Sequence, residues 1–352
     1  RQRQMCIRDR VSVALTGKHL HSINKVGQVV LSDAEVDSAA VKRVTRLAMA
    51  FDPKVEGQSQ DDRLVSHVVK GYTLDNDDVM IDDPIGMVGS VIKAHVHLAI
   101  GSDSVVQNLV KCIRRAGLDI EGLVLQPWAS AAGVLTPTDK ELGVVVLDIG
   151  AGTTDISCWE KGQVEFTAVA GMGGNTIQRD IAAVLGCNMS DAEDIKLTYG
   201  HWPLRPEDAY ETVRYTREST GEPDSCSCEK IVMTVESRLT EMFKVIARTY
   251  LSPDGWNLRA SAGIVLTGGV ARMPGVAELA HHVLGLPVRV GMPLMQSDAS
   301  IGLVSPEDAT VVGVLTETVR RRRLSGAEKR SDGTFSGLLA QLKRIVFGDF
   351  SG

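Results

Sequence analysis

The chain has 352 residues, 43% of them hydrophobic and 4% aromatic, with 38 Lys+Arg against 44 Asp+Glu and a net charge of −6. That length fits about two domains or one bilobed unit, and the apolar share excludes a globally disordered chain. No apolar run approaches the ~18–20 residues that cross a bilayer as a helix, and Cys at 6, 112, 158, 187, 226 and 228 form no disulfide framework.

No secretory segment opens the chain, so a reducing, cytoplasmic compartment is expected. Residues 1–10 carry a net +3 and residues 320–352 a net +5, which leaves a strongly acidic body. That body excludes a nucleic-acid binder, and the basic tail reads as an adapter to something anionic.

Residues 1–10 show neither helical nor strand period and read as an extension foreign to the fold. Residues 11–30 alternate apolar and polar side chains around Gly17 and Gly27, which predicts a β-hairpin. Ser32 and Glu35 have capping-box spacing and predict a helix bearing Val36, Val41, Val44 and Leu47 on one face. Strands are predicted over residues 64–74 and 91–100, and residues 11–95 form a small α+β unit. A helix follows over 102–117, closed by Gly117, then a short strand at 123–125 and a small-residue helix over 128–135.

Residues 143–147 are a continuous apolar run ending in Asp148, the pattern of a strand buried on both faces. It turns through a Gly/Thr-rich bend into a strand at 156–159. Helices are predicted over 175–185, 191–199, 232–250 and 309–320, and a buried strand over 263–266. Residues 200–228 read as loop, and 321–334 as a charged linker.

Three glycine-rich segments follow strands. The first is Asp148-Ile-Gly150-Ala-Gly152-Thr153-Thr154-Asp155. Glycine lets backbone N–H groups approach a phosphate, threonine hydroxyls add donors, and a strand-end carboxylate such as Asp148 holds magnesium through water. The second is Gly171-Met-Gly173-Gly174, which leads into a helix N-terminus suited to anions. The third contains Gly268-Gly269. Between them Glu193 and Lys196 share a helix face and are placed to grip a ribose or base edge. Any one of these segments is commonly just a turn, and Glu193 with Lys196 commonly just a solvated ion pair; the order and strand contexts together carry the reading.

DIGAGTTD, GMGGNTIQRDI, DAEDIK and IVLTGGVARMPG, in that order, resemble the actin/heat-shock chaperone/sugar-kinase ATPase superfamily, and more closely the FtsA family of bacterial division proteins. Leu15-Thr16-Gly17-Lys18-His19, Ala94–His97 and Val288–Pro293 add to the likeness, which runs from about Val11 to Phe350. The resemblance implies an α/β, two-lobed actin-like fold with an inserted SHS2-like subdomain at 11–95. Residues 96–142 would complete the first lobe. Residues 143–308 would form the second, with 180–255 its outer subdomain, and 309–320 a return helix.

The resemblance further implies ATP and magnesium as ligands. Asp148 would order the metal through water, and Gly150, Gly152, Thr153, Thr154 and Asp155 would line the β- and γ-phosphates. Gly173 and Gly174 would approach ribose and phosphate, Glu193 and Lys196 would flank the nucleoside, and Gly268 and Gly269 would pass beneath the α-phosphate. The implied partners are the FtsZ C-terminal peptide, further copies in head-to-tail filaments, anionic lipid and later division proteins. The implied place is the cytoplasmic face of the inner membrane at the septum.

The family pattern begins with another Asp-x-Gly hairpin, which nothing before Val11 supplies, so a chain with half its phosphate clamp and poor ATP affinity is expected. Gln126-Pro127 stands where relatives often carry Glu-Pro. A neutral amide is no general base, so at most weak ATPase activity is expected, with nucleotide acting mainly as a switch. A small-molecule kinase and a pilus-assembly scaffold are the other readings of the same core.

Over residues 335–350, Phe335, Leu338, Leu339, Leu342, Ile345 and Val346 fall on one helical stripe, with Lys343 and Arg344 toward the flank. An apolar stripe flanked by basic residues fits interfacial membrane binding. Burial at roughly 1.5–3 kcal/mol per large apolar group, before ordering costs, outweighs about 1 kcal/mol per basic residue. His95 and His97 share a strand face without a third metal ligand in suitable spacing, and Cys226-Ser-Cys228 has no second cysteine cluster.

Overall fold

The computed structural model describes residues 10–31, 35–57, 59–294 and 305–328, with side chains through Arg320. The stripe from Phe335 to Val346 that is expected to bind membrane lies outside these residues.

The elements run β1 (Arg10–Leu15), β2 (His21–Val30), α1 (Ser38–Ala48), β3 (Asp62–Leu74), β4 (Val91–Ser102), α2 (Asp103–Arg115), β5 (Asp119–Leu125), α3 (Gln126–Val134), α4 (Pro137–Leu142), β6 (Val144–Ile149), β7 (Thr154–Glu160), β8 (Gln163–Ala170), α5 (Gly174–Leu185), α6 (Met189–Tyr199), β9 (Thr212–Thr216), β10 (Pro223–Ser227), α7 (Cys228–Ile246), α8 (Trp256–Arg259), β11 (Ile264–Thr267), α9 (Val276–Leu284), β12 (Val288–Val290) and α10 (Ala309–Glu328).

One eight-stranded sheet, in the order β12-β11-β6-β7-β8-β2-β4-β3, carries most of the chain. β11 lies parallel to β6 and β12, while β6, β7 and β8 form an antiparallel meander. All six residues of β6, Val-Val-Val-Leu-Asp-Ile, are buried, as expected of a strand covered on both faces. Around it lies the largest apolar cluster, in which Leu147, Ile156, Ile177, Val235, Phe243 and Leu266 are all fully buried. The unit built on β2, β3 and β4 has a core of its own, with Val44 and Ala48 of α1 packed on Ile92, Ala94 and Val96.

The two parts of the sheet meet at β2 and β8 through one backbone bridge, His21 to Ala168. Side chains complete the junction. Ser22 Oγ donates to Thr167 O at 2.8 Å and accepts from its N–H at 2.9 Å, and Asn24 Nδ2 donates to Glu165 O at 2.8 Å. Lys70 pairs with Glu165 at 2.5 Å across the same seam.

Four sequence expectations are corrected. The expected hairpin over 11–30 does not form: β1 pairs in parallel with β5, while β2 pairs with β4. Alternation marks a strand but does not choose its partner, and Leu15 packs with Leu125 and Trp128 in one buried cluster. The helix expected from Ser32 begins at Ser38, capped by Asp37, which accepts from Ala40 N–H at 2.6 Å. Glu35 is held extended by a bridge to Val88, so the helix cannot open earlier; Ser32 lies outside the described residues.

The expected loop over 200–228 contains the antiparallel pair β9–β10. Val213 and Tyr215 are buried between exposed neighbours, a period too short to stand out among polar residues. Finally, α10 continues past Arg320 to Glu328, so the first eight residues of the expected linker are helical.

Candidate functional site

The three glycine turns meet at the end of β6. Within the first, Gly150 N–H donates to Thr153 O at 2.9 Å. The second turn leaves β8 and opens α5, and it docks on the first: Gly174 N–H donates to Gly150 O at 2.9 Å and Asn175 N–H to Ala151 O at 2.8 Å. A Cβ on Gly173 would stand 2.5 Å from Gly150 O, so the close approach requires glycine there. The third turn follows β11. Gly268 has φ +82°, and its Cβ would stand 2.4 Å from Asp148 Oδ1, so no side chain fits. Gly152 and Gly269 are exposed, and a Cβ on either would meet nothing within 4 Å. The cradle thus presents bare backbone outward, the arrangement that suits an approaching phosphate.

Two carboxylates lie at its base, opposite each other in the β6–β7 register: Asp148 and Asp155. Asp148 Oδ2 accepts from Ser130 Oγ at 2.5 Å and Thr310 Oγ1 at 2.9 Å, and lies 3.4 Å from Gln126 Nε2. Asp155 Oδ1 accepts from Thr16 Oγ1 at 2.5 Å. Burial pushes the Asp155 carboxyl up to about 7, the Asp148 charge adds to this, and the hydroxyls of Thr16 and Thr153 partly offset it. Two buried carboxylates at neighbouring strand positions fit a hydrated magnesium ion, an oxygen-seeking cation that keeps several of its waters. A bound cation would also relieve the cost of ionising Asp155.

The other residues expected at the site lie as follows. Thr153 is half-buried at the rim, its hydroxyl 3.5 Å from Asp155 Oδ2. Thr154 is fully buried and its hydroxyl donates to Met172 O at 2.9 Å, so that side chain holds the second turn. Glu193 and Lys196 form an ion pair at 2.5 Å on α6. Lys196 is buried, with Nζ 3.5 Å from the place a Cβ would take on Gly174, so α6 does reach the second turn.

Sequence reasoning missed four residues. Ser130 and Thr310 orient Asp148, and no local motif announces them. Thr16 and Lys18 come from the β1–β2 turn. Lys18 lies across Gly171, its Cε 1.9 Å from where a Cβ would be, it is exposed, and its ammonium has no ion-pair partner among the described residues. The signal for both was the Thr16-Gly17-Lys18 segment, a turn between strands that brings a hydroxyl and a cation to one place.

Glycine turns closing on a strand-end aspartate, in a sheet of β6–β7–β8 meander with β11 parallel beside it, define an actin-like ATPase fold. Among solved structures, the chain resembles the PilM–PilN type IV pilus biogenesis complex with a TM-score of 0.59 and 18% identity, covering 89% of this chain and 81% of that one. The family model of cell division protein FtsA matches residues 145–313, and that of the SHS2 domain inserted in FtsA matches 17–100. A diol dehydratase reactivase ATPase-like domain model also matches residues 62–214. The chain is 33% identical to the cell division protein FtsA of Pseudomonas aeruginosa, over 96% of this chain and 81% of that protein. It is 34% identical to that of Neisseria meningitidis serogroup B, over 97% and 82%. The chain belongs to the FtsA family and is an actin-like cell division protein.

Proposed function

We propose that this protein binds ATP with magnesium, assembles head to tail into filaments, and links the FtsZ polymer to the cytoplasmic face of the inner membrane at the septum, where later division proteins gather. The observation that carries the reading is the closure of three glycine turns around Asp148, which leaves exposed backbone beside two buried carboxylates. Asp148 and Asp155 would hold the cation with its waters. The turns at Gly150–Gly152, Gly173–Gly174 and Gly268–Gly269 would take the phosphates, with Lys18 and Lys196 supplying positive charge and Glu193 bordering the nucleoside.

Membership of the FtsA family supports the FtsZ C-terminal peptide as the partner of the second lobe's outer part, and anionic lipid as the partner of residues 335–350. Among the described residues no helix is long and apolar enough to cross a membrane, which is compatible with peripheral attachment. Magnesium in the site supplies charge neutralisation for phosphate. Gln126 faces Asp148 as a neutral amide, so no general base activates water from that position, and nucleotide serves as a switch with slow turnover.

The test is titration of a fluorescent ATP analogue with magnesium into the full chain and into its Gly268→Val variant. The variant is expected to bind at least tenfold more weakly, because its side chain would displace Asp148. Equal affinity in the two, or robust phosphate transfer to small acceptors, would overturn the reading.

A further inference from the structure

In the second lobe, apart from the residues assigned to the nucleotide, three buried side chains of metal-ligand type meet. His201 follows α6, Asp208 lies in the 3-10 turn Pro206–Ala209, and Cys228 opens α7. Each is buried, with relative exposures of 7%, 1% and 1%. His201 Nε2 stands 3.2 Å from Asp208 Oδ1, and the ligand atoms of His201, Asp208 and Cys228 all lie within 4.8 Å of one another.

The geometry separates two tasks on one carboxylate. Asp208 Oδ2 accepts from Arg205 N–H at 2.6 Å and caps the turn, which leaves Oδ1 directed at the imidazole. The packing does not call for a polar trio here. Cys228 belongs to the large apolar cluster with Val213, Ile231 and Val232, and buried polar groups in such a setting carry a cost unless fully bonded. His201 is not fully bonded, since its Nδ1 is buried without a hydrogen-bond partner.

Imidazole, carboxylate and thiolate are together the donor set of zinc, with metal–ligand bonds of about 2.0–2.3 Å in a tetrahedron. Such bonds place neighbouring donors roughly 3.3–3.8 Å apart, so the observed separations need only small side-chain shifts. A thiolate selects zinc over magnesium or calcium, which take oxygen ligands. We propose that His201, Asp208 and Cys228 bind a zinc ion, with the fourth position open to water.

On binding, the Cys228 proton leaves to solvent and a zinc–sulfur bond forms; no redox partner is involved. Without the ion the thiol stays neutral, since burial and the Asp208 charge push it up to about 11. The ion joins the end of α6, the 3-10 turn and the start of α7, and so fastens the β9–β10 hairpin that lies between the last two. This site is independent of the nucleotide reading.

The experiment is cobalt(II) titration of the full chain after chelation under reducing conditions, with zinc competition and thermal unfolding in parallel. One equivalent of cobalt is expected to give a thiolate-to-cobalt charge-transfer band that zinc bleaches, and zinc is expected to raise the unfolding temperature. Cys228→Ser should abolish the band. Asp208→Asn keeps an acceptor for the turn and should weaken binding at least tenfold, whereas Cys112→Ser, at an exposed thiol, should change nothing. Absence of the band in the folded parent chain, or its persistence in a folded Cys228→Ser variant, would overturn the site.

Discussion

Two buried titratable side chains, His97 and Asp155, make stability depend on pH with opposite sign. His97 is fully buried between β4, β8 and α3, with Nδ1 2.8 Å from Asn24 Oδ1 and Nε2 3.0 Å from Thr167 Oγ1. Burial, aided by Lys70, pushes its imidazole down to about 3. The unfolded histidine titrates near 6.5, so the stability this group contributes is present above that pH and is lost as pH falls toward 3. Asp155 behaves oppositely. Its carboxyl is raised to about 7 from about 3.9 when unfolded, so its contribution is full at low pH and is lost as pH rises through 7. Asp155→Asn keeps an acceptor for Thr16 and removes only the second effect. The variant should be more stable than its parent at pH 8 without nucleotide, by an order of 1–3 kcal/mol, and should lose stability more steeply on acidification to pH 5. Urea midpoints at the two pH values check this, and parallel curves would refute it. Lys18→Ala, at an exposed position, should leave stability within about 0.5 kcal/mol yet weaken magnesium-ATP binding about tenfold in the same analogue titration.

At the level of elements, the decisive contact is the crossing of α3 and α10. Glycine inside a helix costs about 1 kcal/mol relative to alanine, yet each helix has one at the crossing. A Cβ on Gly133 would stand 2.2 Å from Ala309 O, and one on Gly313 would stand 1.7 Å from Ala129 O. The gain is backbone contact, which brings Ser130 Oγ and Thr310 Oγ1 to 2.9 Å from each other and both onto Asp148. Gly313→Val should therefore act twice: it should destabilise the fold by about 1–3 kcal/mol through overpacking and also lower magnesium-ATP affinity. Thermal unfolding and analogue titration read the two effects separately. An unfolding change with unaltered affinity would detach the helix crossing from the site.

For the molecule as a whole, several apolar clusters share one sheet, the two largest lying around β6 and on β2–β4. The unit on β2, β3 and β4 is attached through one backbone bridge, the Ser22 and Asn24 bonds, the Lys70–Glu165 pair, the His97–Thr167 contact and an apolar cluster in which Leu20 and Ala99 meet Val164 and Val169. Trp128 Nε1 donates to the same Thr167 hydroxyl at 2.9 Å, so α3 joins the junction too. Beyond α10 the sequence holds the stripe from Phe335 to Val346, and lipid attachment is proposed for that segment rather than for the described body. Flotation with anionic vesicles should recover the full chain and lose a chain ending at Glu328, the last described residue of α10. Equal flotation of both would remove the assignment of lipid binding to residues 335–350.

What could be read from the residue order alone was whatever is written locally. The strand character of β6, the glycine turns after it, the shared face of Glu193 and Lys196, and the helix signals of α2 and α5 all depend on neighbours a few positions apart. Those short-range patterns, through their likeness to FtsA proteins, were enough for the family and for locating the glycine turns along the chain. Partnership across long separations was not legible. Nothing near Ser130 tells that Thr310, 180 positions away, shares its aspartate, nothing in Cys226-Ser-Cys228 points to His201, and alternation in β1 did not reveal β5. The physical reason is that propensity, spacing and charge act along the backbone, whereas the distances that make a donor set or a sheet neighbour are set only when apolar burial folds remote segments against one another.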